Sequence, residues 1–400
     1  MSQGTLALAR CCSRLWAFAA ILGAAWFTVV GVSPAGAQVD YSNWTVAKWI
    51  ANAADPWWSP DGQHMTLTRK VSVGGKTYDH IFLANGDGSN PVDLMPDWTS
   101  QNDTANWSAD GQKIVWVSDK GAAFDIGGAG GGPGVDVWVM NADGSAKTKV
   151  TTSTPGGVNY RPYWSHNGRR LLWTQGWWQT NVNDFRWQLH TADYVDDAQG
   201  GHLENVATLN QPDTAFYEGS EWTPDDSGII YSSTKSNSGN YELYRLNLTT
   251  GQEQRLTFNP EIDISGHPSP DGSWIAFTSS RDDHSTWSYY TDVSWDLNLP
   301  PLYDNIVTII AETAIAWLQP VNPQGTDIYL MRPDGSGVTQ ITQWQNQVGG
   351  GWPAWAPDGC HLATAPAIAQ QIANQRQLID TTKQQRDTYL ITFAGCSPLP

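Results

Sequence analysis

Acidic, aromatic and basic side chains recur just ahead of one short repeated phrase, whose clearest copy reads Trp-Ser-Pro-Asp-Gly. At these positions the candidates for ligand contact are Asp55, Asp103, Tyr160, Arg161 and Tyr217. The candidates for catalysis are Glu218, Asp263 and His267. Carboxylates gathered at one site could act as an acid and base pair across a glycosidic bond, or bind Ca²⁺ through oxygen. The sequence gives no distance between them, so a solvated acidic channel is the simpler alternative.

Familiar catalytic signatures are missing from the sequence. There is no Gly-x-Ser-x-Gly elbow, no His-Glu-x-x-His pair, no phosphate-binding Gly-Lys-Ser loop and no EF-hand loop. The eight histidines are scattered without the spacing of metal ligands. We therefore assign no cofactor or metal, and leave Ca²⁺ at the acidic positions open.

The repeated phrase occurs six times and predicts the architecture. Its copies are Trp58–Gly62, Trp107–Gly111, Trp164–Gly168, Trp222–Asp226, Pro268–Gly272 and Trp355–Gly359. Successive Asp or Asn positions are separated by 49, 57, 58, 46 and 87 residues, which is the size of a propeller blade with one long insertion. Within the phrase, Pro presets the turn, Asp caps it and Gly accepts positive φ, so two antiparallel strands meet there. Two further strands follow in most units, which predicts four strands per blade.

These residues resemble the repeats of the TolB-type six-bladed β-propeller family over nearly all of the chain after its amino-terminal segment. The resemblance implies an all-β, six-bladed propeller of four-stranded antiparallel blades. No α/β domain precedes the first phrase, so the docking roles of the family's translocation protein are not carried over. The last unit lacks an outer strand, and the apolar segment 44–51 is free to supply it and close the ring. Cys360 and Cys396 would then lie together, and we expect a disulfide between them.

Composition and the amino terminus limit the class of protein. With 40% hydrophobic and 15% charged residues, and with 23 Trp, the chain is neither disordered nor a coiled coil. Its net charge of -17 disfavours a nucleic-acid partner. Residues 1–37 read as a signal peptide and 38–400 as a single propeller domain, secreted or periplasmic, with no membrane span after cleavage. An uncleaved anchor is the alternative, because the apolar run is near the length that spans a bilayer.

The second-to-third strand connections share one face, and four of them are long. They are 120–134, 176–185, the insertion 282–326 in blade five and the Gln-rich segment 366–386 in blade six. We predict short helices in the last two from their apolar spacing. Long loops on one face are typical of a binding face, although drift also lengthens loops. Tryptophans in or beside these loops are further candidates for ligand contact, with core packing as the alternative: Trp177, Trp178, Trp187, Trp287, Trp295 and Trp352.

These observations favour one function and leave others open. The leading hypothesis is an exported, monomeric binding module whose loop-rich face engages a protein partner or an envelope or extracellular polymer. The alternative is a carbohydrate-active enzyme, either a polysaccharide lyase or a glycoside hydrolase, with an acidic site at the channel mouth. His267 and His284 leave open a lyase with metal-bound histidines. A purely structural envelope protein is the third hypothesis. The sequence does not identify the ligand.

Overall fold

The computed structural model describes residues 39–122, 134–154, 156–179, 184–213, 215–236, 240–281, 326–344, 351–365, 387–397 and 399. Within these ranges the chain forms six four-stranded antiparallel sheets and no helix. In five of the sheets the four strands are consecutive in sequence, and the first of them is the inner strand. This is the predicted six-bladed, all-β propeller.

The strand bounds of the first three blades follow the repeat. The first strand in sequence, β1 (Asp40–Ile50), precedes blade one. Blade one has β2 (Ala54–Trp58), β3 (His64–Val73), β4 (Lys76–Asn85) and β5 (Val92–Asp93). Blade two has β6 (Asn102–Trp107), β7 (Lys113–Ser118), β8 (Asp136–Asn141) and β9 (Thr148–Lys149). Blade three has β10 (Val158–Trp164), β11 (Arg170–Gln179), β12 (Asp184–Asp197) and β13 (Gly200–Thr208).

The remaining blades include the one that closes the ring. Blade four has β14 (Tyr217–Trp222), β15 (Gly228–Ser233), β16 (Glu242–Asn247) and β17 (Glu253–Arg255). Blade five has β18 (Asp263–Pro268), β19 (Ile275–Ser279), β20 (Asp327–Met331) and β21 (Thr339–Gln340). Blade six has β22 (Ala354–Trp355), β23 (His361–Thr364), β24 (Thr388–Ala394) and, as its outer strand, β1 (Asp40–Ile50).

Ring closure by the amino-terminal segment is confirmed. Strand β1 pairs antiparallel with β24, and Trp44 lies opposite Phe393. The pairing gives the last blade its fourth strand and so removes the free edge of β24. In the same blade a disulfide joins Cys360 to Cys396, with 5.6 Å between their Cα atoms, as the sequence predicted.

The repeated phrase forms the predicted turn between the first and second strands. In blade one the Gly62 N–H donates to the Ser59 carbonyl at 2.8 Å, and Gly62 has a φ of 70°. The Asp61 carboxylate accepts hydrogen bonds from Ser59 Oγ at 2.6 Å and from the Gln63 N–H at 3.0 Å. The same hydroxyl-to-carboxylate bond recurs in Ser108–Asp110, Thr223–Asp225 and Ser269–Asp271. Side chains of the repeat therefore fix where each blade turns.

One predicted loop is a pair of strands. Residues 176–185 were expected to be a long connection, but β11 continues to Gln179 and pairs with β12 from Asp184 onward. Aromatic residues favour extended structure, and Trp177 and Trp178 prolong the hairpin instead of ending it. The predicted helices in 282–326 and 366–386, and the predicted signal peptide, lie outside the described residues. Within the described ranges, no helix is long and apolar enough to cross a membrane.

Candidate functional site

The inner strands share a backbone irregularity near the loop-rich face, which is the face of the second-to-third strand connections. In blades one to five the inner strand has a β-bulge in its pairing with the second strand. Five non-glycine residues with positive φ stand three positions before the start of a repeated phrase: Asp55 (48°), Thr104 (51°), Arg161 (53°), Ser265 (54°) and Trp352 (41°). We call these five residues the axial ring. Positive φ is costly for such residues, and strained backbone concentrates at functional sites.

The axial ring meets across the centre of the propeller. Arg161 belongs to blade three and Trp352 to the opposite blade six, yet the guanidinium carbon lies 4.2 Å from the centroid of the indole ring. This distance is that of a cation–π contact. Arg161 Nε also lies 3.7 Å from Oε1 of Glu218 in blade four. The side chains of Arg161 and Trp352 therefore meet at the axis.

Glu218 is a buried carboxyl group beside a cation. Its side chain is almost fully enclosed, with 5% of the residue exposed. Burial raises the pKa of Glu218 above its ordinary value, and the nearby Arg161 charge only partly opposes that rise. The group consequently holds its proton at a higher pH than an exposed glutamate would.

Four members of the axial ring have buried polar atoms without a hydrogen-bond partner. These atoms are Asp55 Oδ2, Thr104 Oγ1, Ser265 Oγ and Trp352 Nε1. Ser265 belongs to blade five and Trp352 to blade six, and Asp55 and Thr104 belong to blades one and two. The four residues therefore form one continuous arc around the axis. A buried polar atom left unpaired costs roughly 1–3 kcal/mol, and native interiors contain few of them. The arc therefore concentrates unpaired polar atoms at the level of the axial ring.

A second layer of side chains lies below the axial ring, one residue before each phrase. Trp57, Tyr163 and His267 come from blades one, three and five, and their ring centroids are 5.4 to 5.8 Å apart. We call these three residues the axial plug. Their mutual contacts occupy the axis. We call the axial region bounded by the axial ring, on the loop-rich side of the plug, the well. The nearest carboxylate to His267 is that of Glu221, 3.6 Å from Nδ1.

The repeat tryptophans hold the axial plug in place. The indole N–H of Trp107 donates to the carbonyl of Trp57 at 3.2 Å, and that of Trp222 donates to the carbonyl of Tyr163 at 3.1 Å. In the same way Trp355 donates to the carbonyl of His267 at 3.0 Å. Each bond runs from one blade to the inner strand of the preceding blade. The sequence repeat thus positions the residues at the axis as well as the turns.

Several residues predicted for the site lie inside the blades instead. Asp263 is fully buried, and both of its carboxylate oxygens accept from Arg281 Nη2, at 2.9 and 3.0 Å. Tyr217 stacks on Tyr231 within blade four, and its hydroxyl donates to Asp213 at 3.0 Å. Asp263 and Tyr217 stand five positions before their phrases, and these contacts hold both within their own blades.

The other predicted residues divide between the well and the surrounding packing. Asp55, Arg161 and Trp352 are members of the axial ring, and Glu218 borders it. Asp103 accepts the N–H of Thr104 at 2.7 Å. Tyr160 packs in the core between blades two and three, 5.8 Å from the ring of Trp187.

Trp352 apart, the loop tryptophans lie in the hairpin of blade three or outside the described residues. Trp177 and Trp178 are half-buried in the hairpin of blade three. Trp287 and Trp295 lie outside the described residues. Sequence reasoning missed Thr104, Ser265, Trp57 and Tyr163. The signal that could have found them is their constant distance from the repeated phrase, because residues three and one positions before it face the axis.

The described residues do not assemble a metal site. Within the described ranges, no group of three or more His, Cys, Asp or Glu residues is placed to hold a metal ion. The carboxylates around the axis, those of Asp55, Asp103 and Glu218, accordingly do not form such a group. Ca²⁺ at these positions has no set of three acidic ligands in the described part of the chain.

An open groove of about 610 Å³ lies on the opposite face, between blades two and three. Its cationic side chains are paired. Lys113 forms an ion pair with Asp196, and Arg169 lies 3.7 Å from Asp110. The groove thus lacks the unsatisfied polar atoms that distinguish the well.

The six four-stranded sheets define a six-bladed β-propeller whose axis is filled by the axial plug. No protein family model matches the chain. An uncharacterised protein of Agrobacterium fabrum is 27% identical over 189 residues, which is 43% of this chain and 61% of that protein. The matched region thus spans about three fifths of that relative's length.

Solved structures similar to this chain include TolB-type propellers and an enzyme. A TolB-like protein from Agrobacterium tumefaciens is 17% identical, with a TM-score of 0.49, over 85% of this chain and 90% of that one. TolB from Acinetobacter baumannii is 14% identical, with a TM-score of 0.47, over 86% of this chain and 65% of that one. Oligogalacturonate lyase from Vibrio parahaemolyticus is 11% identical, with a TM-score of 0.46, over 89% and 96%. The predicted resemblance to TolB-type propellers is confirmed as a likeness of fold, and no activity follows from it.

Proposed function

We propose that this protein is an exported binding module that engages a protein partner or an extracellular polymer through its loop-rich face, with the well as the docking point. The observation that supports this proposal most is the axial ring. It combines strained backbone, buried polar atoms without partners and an aromatic side chain at the end of the channel that faces the long loops. Strained backbone and unpaired buried polar groups are features that concentrate at functional sites.

The disulfide supports the exported location within this proposal. Disulfides persist in oxidising compartments such as the periplasm and the extracellular space, and they are rare in the reducing cytosol. Cys360 and Cys396 join neighbouring strands of blade six. Cell fractionation followed by thiol labelling of the unreduced protein tests the location, and a cytosolic protein with two free thiols would contradict it.

Affinity capture from the envelope and secreted fractions tests the binding function. The bait is the parent protein, and the test variants are Arg161→Ala and Trp352→Ala, which dismantle the contact across the well. Arg332→Ala is the matched control, because Arg332 lies 3.8 Å from the ring of Trp274 in a similar stack outside the axial ring. We expect a ligand retained by the parent and by the control, and lost from both test variants.

A second capture experiment addresses the insertion 282–326. Its replacement by a short Gly-Ser linker is expected to weaken capture of a protein partner, since long loops on one face commonly supply contacts. Unchanged capture by this variant and by the two axial variants together would reject the loop-rich face as the binding surface.

One observation favours the enzymatic alternative. Glu218 is buried, its pKa is raised, and it lies beside Arg161 at the wall of the well. A buried carboxyl group with a raised pKa can serve as a general acid. The test is release of reducing ends or unsaturated products from a panel of bacterial and plant polysaccharides. Glu218→Gln should abolish turnover with little change in melting temperature, and inactivity of the parent on all substrates would leave binding as the function.

A further inference from the structure

The sequence contains two Asn-Gly pairs, Asn85-Gly86 and Asn167-Gly168, and both lie at turns between strands. In such a pair the backbone nitrogen of glycine can attack the side-chain amide of asparagine, because glycine has no Cβ to hinder the approach. The reaction requires a free glycine nitrogen, a free amide and room around both. The two pairs differ in all of these respects.

The pair in blade one is held by its surroundings. The Gly86 N–H donates to the Gln63 carbonyl at 2.7 Å, and the Asn85 side-chain amide donates to Ser89 Oγ at 2.8 Å. Gly86 is buried, and a Cβ at this position would collide with the carbonyl oxygen of Gly62. Both reacting groups are therefore engaged, and the turn leaves little room for them to approach each other.

The pair in blade three is open. Asn167 is exposed, and within the described ranges neither its side chain nor the Gly168 N–H has a hydrogen-bond partner in the protein. In blade two the corresponding N–H, that of Gly111, closes the turn by donating to the Ser108 carbonyl at 2.9 Å. Apart from its chain neighbours, a Cβ at Gly168 would meet nothing closer than Ser165 Oγ at 3.8 Å. The nitrogen and the amide of this pair are thus free to meet.

An acidic residue of the next blade binds the backbone of the blade-three turn. Asp226 of blade four accepts the N–H of His166 and the N–H of Asn167, each at 2.8 Å. We call these two hydrogen bonds the clasp. Asp226 and His166 stand where most copies of the phrase have glycine and proline, so the clasp arises from two departures from the repeat. It holds the backbone ahead of Gly168 and leaves the reacting groups unpaired.

We propose that Asn167 deamidates spontaneously and that the reaction loosens the clasp between blades three and four. The Gly168 nitrogen bonds to Cγ of Asn167, and Nδ2 leaves as ammonia with the proton that the glycine nitrogen gives up. A cyclic succinimide remains. Water from the solvent then adds to either of its carbonyl carbons, and the ring opens to aspartate or to isoaspartate. Solvent water is the only co-reactant that these steps require.

Both products change the charge and the geometry beside Asp226. Aspartate at position 167 brings a second carboxylate close to that of Asp226, which binds the N–H of the same residue, and like charges at short range repel. Isoaspartate carries the same charge and adds a methylene to the backbone before Gly168. The N–H donors of the clasp then no longer match the Asp226 carboxylate. Deamidation is therefore a change that ageing of the protein makes at one contact between blades.

A comparison of folded and unfolded protein tests the proposal. The purified folded protein and the same protein in guanidinium chloride are incubated in mildly alkaline buffer, and mass spectrometry of proteolytic peptides follows deamidation at Asn167 and Asn85. Unfolding removes the structural difference, so the ratio of the two rates in denaturant is the reference. We expect the ratio of Asn167 to Asn85 to be at least about fivefold larger in the folded protein, since two hydrogen bonds must open at Asn85-Gly86 before it reacts. An equal or smaller ratio would overturn the proposal.

Variants link the modification to the clasp. Asn167→Gln keeps the backbone N–H of residue 167 but reacts slowly, because its longer side chain forms the corresponding ring less readily, and Asn85→Gln is the matched control. After ageing, hydrogen exchange at the N–H groups of residues 166 and 167 should be about two- to tenfold faster in the parent and in Asn85→Gln, as expected for the loss of one net hydrogen bond. Aged Asn167→Gln should exchange as the fresh protein does. Unchanged exchange in fully deamidated parent protein would refute the effect on the clasp.

Discussion

The rings of Tyr163 and His267 lie 5.7 Å apart although the two residues belong to blades three and five. Trp57 of blade one completes the group, 5.4 Å from His267. Side chains from alternate blades therefore occupy the axis at one level, and they separate the well from the opposite face. The residues that close the axis at this level are thus ones that the repeat itself positions.

The first prediction concerns His267 and tests whether its imidazole only packs or also makes a polar interaction. His267 is 2% exposed, and both of its ring nitrogens are buried without a hydrogen-bond partner. Replacement of such a group by an apolar side chain of similar size is close to neutral for stability. We expect His267→Leu to unfold within about 1 kcal/mol of the parent in urea, and His267→Ala to lose about 2–4 kcal/mol. A large loss in both variants would show that the imidazole makes a polar interaction.

The second prediction concerns the contact between neighbouring blades. Trp222→Phe keeps a buried aromatic ring but removes the N–H that donates to the Tyr163 carbonyl at 3.1 Å. The variant should lose about 1–3 kcal/mol of unfolding free energy, since a buried carbonyl is left without its donor. Trp49→Phe controls for the change in ring size, because Trp49 stacks on Trp58 at a centroid distance of 5.4 Å. A loss no greater than in the control would reject the hydrogen bond as a significant contribution.

Removal of the disulfide gives the third prediction. Cys360 and Cys396 are separated by 36 positions in sequence, and their bond lies in the blade that closes the ring. A crosslink over a loop of this length restricts the unfolded chain by about 4 kcal/mol in the chain-entropy model. The double variant Cys360→Ser, Cys396→Ser should be destabilised by about that amount in urea under non-reducing conditions. The parent in dithiothreitol should approach the variant, and a parent insensitive to reductant would contradict the prediction.

The fourth prediction is a pH dependence that arises from one buried histidine. Burial lowers the pKa of His190 to about 4, and its ring stacks on Trp173. The unfolded chain binds this proton near pH 6.5 and the folded chain only near pH 4, so folding stability falls as the pH drops through that window. At pH 5.0 the cost relative to pH 7.5 is about 2 kcal/mol.

Urea unfolding at both pH values measures this cost. The decrease in stability between pH 7.5 and 5.0 should be about 2 kcal/mol smaller in His190→Gln than in the parent. The exposed His64 supplies the control, and His64→Gln should retain the decrease of the parent. An identical pH dependence in the parent and in His190→Gln would show that the imidazole titrates normally in the folded state.

The fold could be predicted from the sequence because its determinants are local and repeated. Asp61 and Gly62 define a turn through contacts within five residues, and the same contacts recur in other blades. Ring closure followed from counting strands, and pairing of Trp44 with Phe393 confirms it. Trp177 and Trp178 were assigned to a loop because the strand before them already had the usual length for a blade.

The site was only partly predictable, because it depends on which way each side chain faces. A β-bulge changes the alternation of side chains along an inner strand, and a shift of one residue moves a side chain to the other face of the sheet. Asp263 was therefore assigned to the channel mouth, while the structure pairs it with Arg281 inside its blade. Thr104 and Ser265 could not be predicted as site residues. Their polar atoms stand out because they are buried without partners, which is a property of the assembled ring.

The pairing of β1 with β24 also constrains the order in which the protein can fold. Strand β1 is synthesised before the other described strands, and its partner is synthesised after all of them. The last blade consequently cannot form until β24 has been synthesised, and contacts of such long sequence separation form slowly. Until then Trp44 and the hydrogen-bonding edge of β1 are available to other chains, which makes the nascent protein prone to aggregation. The strand that gives the mature ring its closure is thus the segment that most needs protection during biosynthesis.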